Sequence, residues 1–94
     1  MLNDDTFRPD AVLRALQWAC QSAKAGLDED QVSDPAHDVM IYACTDGTVR
    51  LRVLNREKPV RDACMELIQT HKLAKGEVTR TSDRPSWIWT FVPA

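Results

Sequence analysis

Apolar residues over 9–25 recur with helical spacing. Val12, Leu13, Leu16, Ala19, Cys20, Ala23 and Leu27 share one side of a helix, and Asp10, Arg14, Gln17, Gln21 and Lys24 form a polar side. Pro9 suits the first helical position, Asp10 the positive end and Gly26 the stop. Trp18 falls opposite the apolar stripe, among Ala11, Ala15, Ser22 and Ala25. Residues 28–38 have no period, several breakers and many carboxylates, which predicts an acidic surface loop. A second helical stripe over 59–73 joins Val60, Ala63, Cys64, Leu67, Ile68 and His71 and runs on to Ala74, with Gly76 as the expected stop.

Between the helices, 39–45 and 48–54 are β-rich runs joined by Asp46 and Gly47. That dipeptide predicts a two-residue hairpin turn, because both central residues need positive φ. The register that follows sets Cys44 opposite Val49, Tyr42 opposite Leu51 and Met40 opposite Val53, with all six toward the core. Val39, Ile41, Ala43, Arg50, Arg52 and Leu54 then share the less buried face. Residues 77–92 predict a second hairpin around Ser82, Asp83, Arg84 and Pro85, in which Trp87, Trp89 and Phe91 alternate with Ile88, Thr90 and Val92. Pairing Thr81 with Ser86 sets Val78 opposite Trp89 and Arg80 opposite Trp87, where the guanidinium can lie over the indole.

The expected order is α-β-β-α-β-β. This is an α+β chain with an antiparallel sheet of about four strands and two helices packed on one face. Residues 1–94 form a single domain with a short arm at 1–8 and the acidic loop at 28–38.

Composition is that of an ordinary globular chain, 44% hydrophobic and 28% charged. Charge is divided unevenly. Residues 1–46 carry three basic against nine acidic side chains, a net −6, and residues 47–94 carry nine against five, a net +4. Such asymmetry points to a charged partner or to two lobes that meet. The start of the chain has no basic and apolar leader, and no stretch approaches the ~18 apolar residues of a membrane span. Three cysteines, an odd number in unlike contexts, predict free thiols and a reducing cytoplasmic setting.

Catalytic patterns are missing. There is no glycine-rich phosphate loop, Cys-x-x-Cys, His-Glu-x-x-His or Gly-x-Ser-x-Gly. His37, near Asp34 and Asp38, is the one base that a carboxylate could orient, and as a loop residue it reads as solvated. Cys20, Cys44, Cys64 and His71 lie on inward faces without the paired spacing of a zinc site, so neither metal nor cofactor is expected. The basic half offers Arg50, Arg52, Lys72, Lys75, Arg80 and Arg84 as a surface for nucleic acid or an acidic partner. From Pro59 to Val92, helix, strand, basic loop and aromatic strand resemble the end of a winged helix, but the preceding element reads as a hairpin. The isoelectric point near 5.6 disfavours a dedicated nucleic-acid binder. The Trp18 face, with Arg14, Ala11, Ala15 and Ser22, is a candidate protein interface, since tryptophan centres such contacts and small neighbours allow close approach. The function expected from these features is non-catalytic protein binding or self-association, with nucleic-acid binding as the alternative.

Overall fold

The computed structural model describes residues 8–36, 38–54, 58–82 and 87–94, with side chains omitted at 81 and 82. The element order is α1 (Pro9–Lys24), β1 (Gln31–Ala36), β2 (Val39–Ala43), β3 (Val49–Val53), α2 (Lys58–Thr70), β4 (Thr79–Ser82) and β5 (Trp87–Phe91). The strands form one antiparallel sheet in the order β1-β2-β3-β5-β4, so the class is α+β, with five strands instead of about four. Residues 1–7 of the expected arm at 1–8, His37, Arg84, and the tip and Ser86 pairing of the second hairpin lie outside the described residues.

Helix α1 forms as its pattern predicts. Pro9 opens it after an extended Arg8, and Gly26 ends it at φ +72. Val12, Leu16 and Ala19 are fully buried. Helix α2 buries Val60, Cys64 and Ile68 in the same core cluster, so both helices cover one face of the sheet. It ends earlier than Gly76 implies. Lys72 takes the left-handed conformation (φ 51), its N–H donates to the Gln69 carbonyl (3.2 Å), and the Leu73 N–H donates to the Ile68 carbonyl (3.0 Å). This is a Schellman stop built on lysine, which bears a steric penalty that glycine would avoid.

Three expectations are corrected. First, the acidic segment 28–38 is not a loop throughout, because Gln31–Ala36 is an edge strand paired with β2. Backbone ladder bonds and the Asp30 carboxylate, which accepts the Thr45 N–H at 2.8 Å, hold it. An edge strand on a half-solvated sheet needs little apolar alternation, so the pattern was silent.

Second, the β2–β3 register is one residue from the expected one: Ala43 faces Val49, Ile41 faces Leu51 and Val39 faces Val53. The loop has three residues, Thr45, Asp46 and Gly47. The Gly47 N–H donates to the Cys44 carbonyl (3.0 Å), Gly47 stands at φ +86, and the Cys44 N–H donates to the Thr48 carbonyl (2.9 Å). This is a type I turn followed by a glycine bulge. The Asp46 carboxylate accepts from the Thr48 hydroxyl (2.6 Å) and N–H (3.0 Å), which lowers its pKa. A one-residue slip turns every side chain of β2 over. Val39, Ile41 and Ala43 therefore point to the core, while Met40 and Tyr42 point away. Gly47→Val is expected to lower stability by about 1–2 kcal/mol through its left-handed backbone, measurable by urea unfolding.

Third, Arg80 pairs with Trp89, not Trp87, and the β4–β5 ladder shifts register between Arg80 and Ser82. Arg80 nonetheless places its guanidinium carbon 5.3 Å from the centre of the Trp87 ring, reaching diagonally.

Candidate protein-docking surface

The sheet has two unlike faces. The inner one stacks Val39, Ile41, Ala43, Val49, Leu51, Val53, Trp87, Trp89 and Phe91 beneath the helices. The outer face carries no helix among the described residues. Strand pairing aligns Val32, Tyr42, Arg50, Thr90 and Thr79 in one row across it, and Met40, Arg52 and Ile88 in the next. Met40, Tyr42, Ile88 and Arg52 are half-buried by their neighbours, Arg50 is exposed, and Val32 is 51% exposed. The Tyr42 hydroxyl lies 3.7 Å from the Met40 sulfur. A shallow depression of about 380 Å³ lies beside this row, lined in part by Arg50, Thr90, Thr79 and Glu77. Tyrosine, methionine and arginine on one surface is a composition enriched in protein interfaces.

Two of these groups, Arg50 and Arg52, were legible in the sequence as outward-facing. Tyr42, Met40 and Ile88 were not. The run 39–44 is apolar at every position, so its faces could be assigned only through the turn. A usable signal was present in β3: Val49, Leu51 and Val53 alternate with arginine and fix which side is core. β-branched Val39 and Ile41 then fit the core row better than Met40 and Tyr42.

The Trp18 group occupies a flank of the core. Ala15 is buried, Trp18 packs half-buried against the core cluster, Ala11 and Ser22 are half-buried, and Arg14 is exposed, 4.0 Å from Asp10. The opposite flank of α1 meets the end of the chain, where Lys24 donates to the Ala94 carbonyl (2.8 Å).

The basic residues are not gathered into one patch. Arg50 and Arg52 belong to the outer face. Arg80 leans to the helix side, where Arg61 of α2 sets its guanidinium carbon 3.9 Å from the centre of the Trp87 ring. Trp87 in turn stacks on Trp89 at 6.2 Å and 17°. Lys72 and Lys75 are exposed at the end of α2, and the Lys75 N–H donates to the Val92 carbonyl. Trp89 is 9% exposed and Phe91 2%, so these rings support the core.

Cys20, Cys44 and Cys64 are free and buried on three different elements or their ends. Among the described residues no three His, Cys, Asp or Glu side chains form a metal-holding group. Burial raises the pKa of Cys20 and Cys44, and pushes the fully enclosed Cys64 thiol from 9.0 to about 12. The unfolded chain therefore releases this proton first as pH rises above about 9. Folding stability is expected to fall by about 1.4 kcal/mol per unit between pH 9 and 12 from this group. Unfolding curves of Cys64→Ala should lack that slope.

No described helix is long and apolar enough to cross a membrane. No protein-family model, curated protein or solved structure matches the chain.

Proposed function

We propose that this chain is a small module that works by binding, without catalysis, and that it docks a partner protein through the outer face of its sheet. The observation that carries the reading is a face without a helix among the described residues, on which Tyr42, Met40, Ile88 and Val32 flank an exposed Arg50. Such a face can bury aromatic and aliphatic area while the exposed Arg50 fixes orientation.

Arg50 also bears on the kind of partner. In a face-to-face pair of identical chains, residues beside the two-fold axis meet their own copies, and the rest pair reciprocally. Arg50 sits mid-face on the central strand and would approach its counterpart, which opposes that pairing. A different protein, offering a carboxylate to Arg50 and an apolar ridge to Tyr42 and Ile88, fits better. Nucleic-acid binding has less support, since the cations are divided between two sides of the sheet and the rings of Trp87, Trp89 and Phe91, which could have stacked on bases, face inward.

Ile88→Lys places a second cation in the apolar row without touching the inner face. The native chain purified from its own cells is expected to elute with a partner, and Ile88→Lys to elute alone with an unchanged unfolding curve. A complex that survives Ile88→Lys, or one that nuclease dissolves, would count against this reading.

A further inference from the structure

Strand β4 is the last strand of the sheet, and among the described residues nothing pairs with its far edge. The opposite edge, β1, is guarded by Pro35, by a register shift between Ser33 and Ala36, and by Asp34. Proline and charge are the usual means of blunting an edge. The described part of β4 has no proline, and Thr79 and Arg80 pair in regular order before the shift beyond Arg80.

Beside the segment that leads into this strand lies a groove of about 600 Å³. Its helix wall is Met65 and Gln69, one turn apart on α2, with Ile68 beneath and Lys72 just past the helix end. Its other wall is Ala74, Gly76, Glu77 and Val78. Continuing one helical turn back from Met65 reaches Arg61, and two residues on from Val78 reaches Arg80. Each of these arginines sets its guanidinium against the Trp87 ring. The Arg61 Nε is buried without a hydrogen-bond partner, and neither arginine is ion-paired among the described residues. The lining is thus apolar in the middle, with the Lys72 cation and the single carboxylate of Glu77, and the two guanidiniums stand beyond it, past Met65 on one wall and Val78 on the other.

We propose that this groove binds an extended acidic peptide as a sixth strand on the edge of β4, its carboxylates taken by Arg61 and Arg80. Main-chain bonds to an open edge supply affinity, and side-chain pockets select sequence. A guanidinium resting on an indole has shed part of its hydration on that side, and it pairs strongly with a carboxylate in fork geometry. Met65 and Val78 receive an aliphatic side chain between the charges. A phosphate backbone would match the cations but leave the apolar middle and the strand edge unused. The assignment rests on the reading of the chain as a protein-binding module. It uses the other side of the sheet from the outer face, so either surface can fail alone.

The test is selection of a random dodecapeptide library, displayed on phage, against the immobilised whole chain. Enriched sequences are expected to alternate Asp or Glu with aliphatic residues. A labelled peptide of that kind should lose roughly tenfold or more in affinity with Arg61→Gln and Arg80→Gln combined, and equally with Met65→Glu. It should keep its affinity with Ile88→Lys and protect amides at 78–80 from exchange. Met65→Glu changes a half-exposed groove wall, so it answers the question even where the double arginine variant unfolds. Several results would overturn the proposal: no enrichment, enrichment of basic sequences, affinity unmoved by Met65→Glu, or an oligonucleotide bound more tightly than any selected peptide. A dimer of the chain that Met65→Glu dissociates would assign the groove to a second copy and overturn it as well.

Discussion

Ile41→Ala is expected to lower folding stability by about 3–4 kcal/mol, while Tyr42→Ala, the next residue on the same strand, changes it by less than about 1 kcal/mol. Ile41 is fully buried on β2 opposite Leu51, beneath α1, with Ser33 of β1 on its other side. Both neighbouring strands are held in hydrogen-bonded ladders, so the cavity left by the truncated side chain cannot close by collapse. A domain of this size is worth about 5–14 kcal/mol in total, so the loss is a large share of it. It should appear as a melting temperature lower by roughly 15–25 °C. Tyr42 faces the other way and gives up only half-buried area on the outer face. Thermal unfolding of the two variants decides between the observed register and its one-residue neighbour, in which the two effects would be exchanged.

Arg50→Glu is expected to weaken partner binding by about 2–5 kcal/mol, which is roughly 30- to several-thousand-fold in Kd. Arg50 is exposed between Tyr42 and Thr90 in the outer row, so folding stability should stay within about 0.5 kcal/mol of the parent. The size of the effect comes from reversing a charge inside a surface that becomes desolvated on docking. A carboxylate facing a carboxylate there has neither water nor a counter-charge. The native interaction should also weaken with salt, though less than a contact between fully exposed charges would. Titration calorimetry with the purified partner measures both.

The contrast between residues 41 and 42 also explains what could be read from the chain. Helix α1 was legible to its ends because Pro9, Asp10 and Gly26 mark them and the apolar stripe has a single period. The faces of β3 were legible because arginines interrupt its aliphatics. Strand β2 was not, since six consecutive apolar positions carry no phase, and the Asp-Gly dipeptide serves a three-residue loop as readily as a two-residue one. Strand β1 escaped because Gln31, Val32 and Asp34 are exposed and their order comes from pairing with β2. The same slip hid half of the outer face: it assigned Tyr42 and Met40 to the core while leaving Arg50 and Arg52 outside. The groove beside β4 was hidden for another reason. Arg61 and Met65 on α2 and Lys72, Val78 and Arg80 beyond it acquire a common surface only through the tertiary crossing.

The uneven charge takes a definite shape in this fold. Asp28, Glu29, Asp30 and Asp34 cluster at the β1 end of the sheet, and Arg61, Lys72 and Arg80 border the groove beside β4 at the other end. Arg50 and Arg52 stand between them on the outer face. The basic half therefore supplies two surfaces on opposite sides of one sheet.

The claim that the outer face is the docking surface is tested most directly by placing a photo-reactive benzoylphenylalanine at Tyr42, and separately at Gln17 on the exposed side of α1, in cells that make the protein. The account predicts one discrete protein adduct from position 42, lost when Arg50→Glu is added, and none from position 17. An adduct from position 17 alone, an adduct to nucleic acid, or no adduct from position 42 would contradict it.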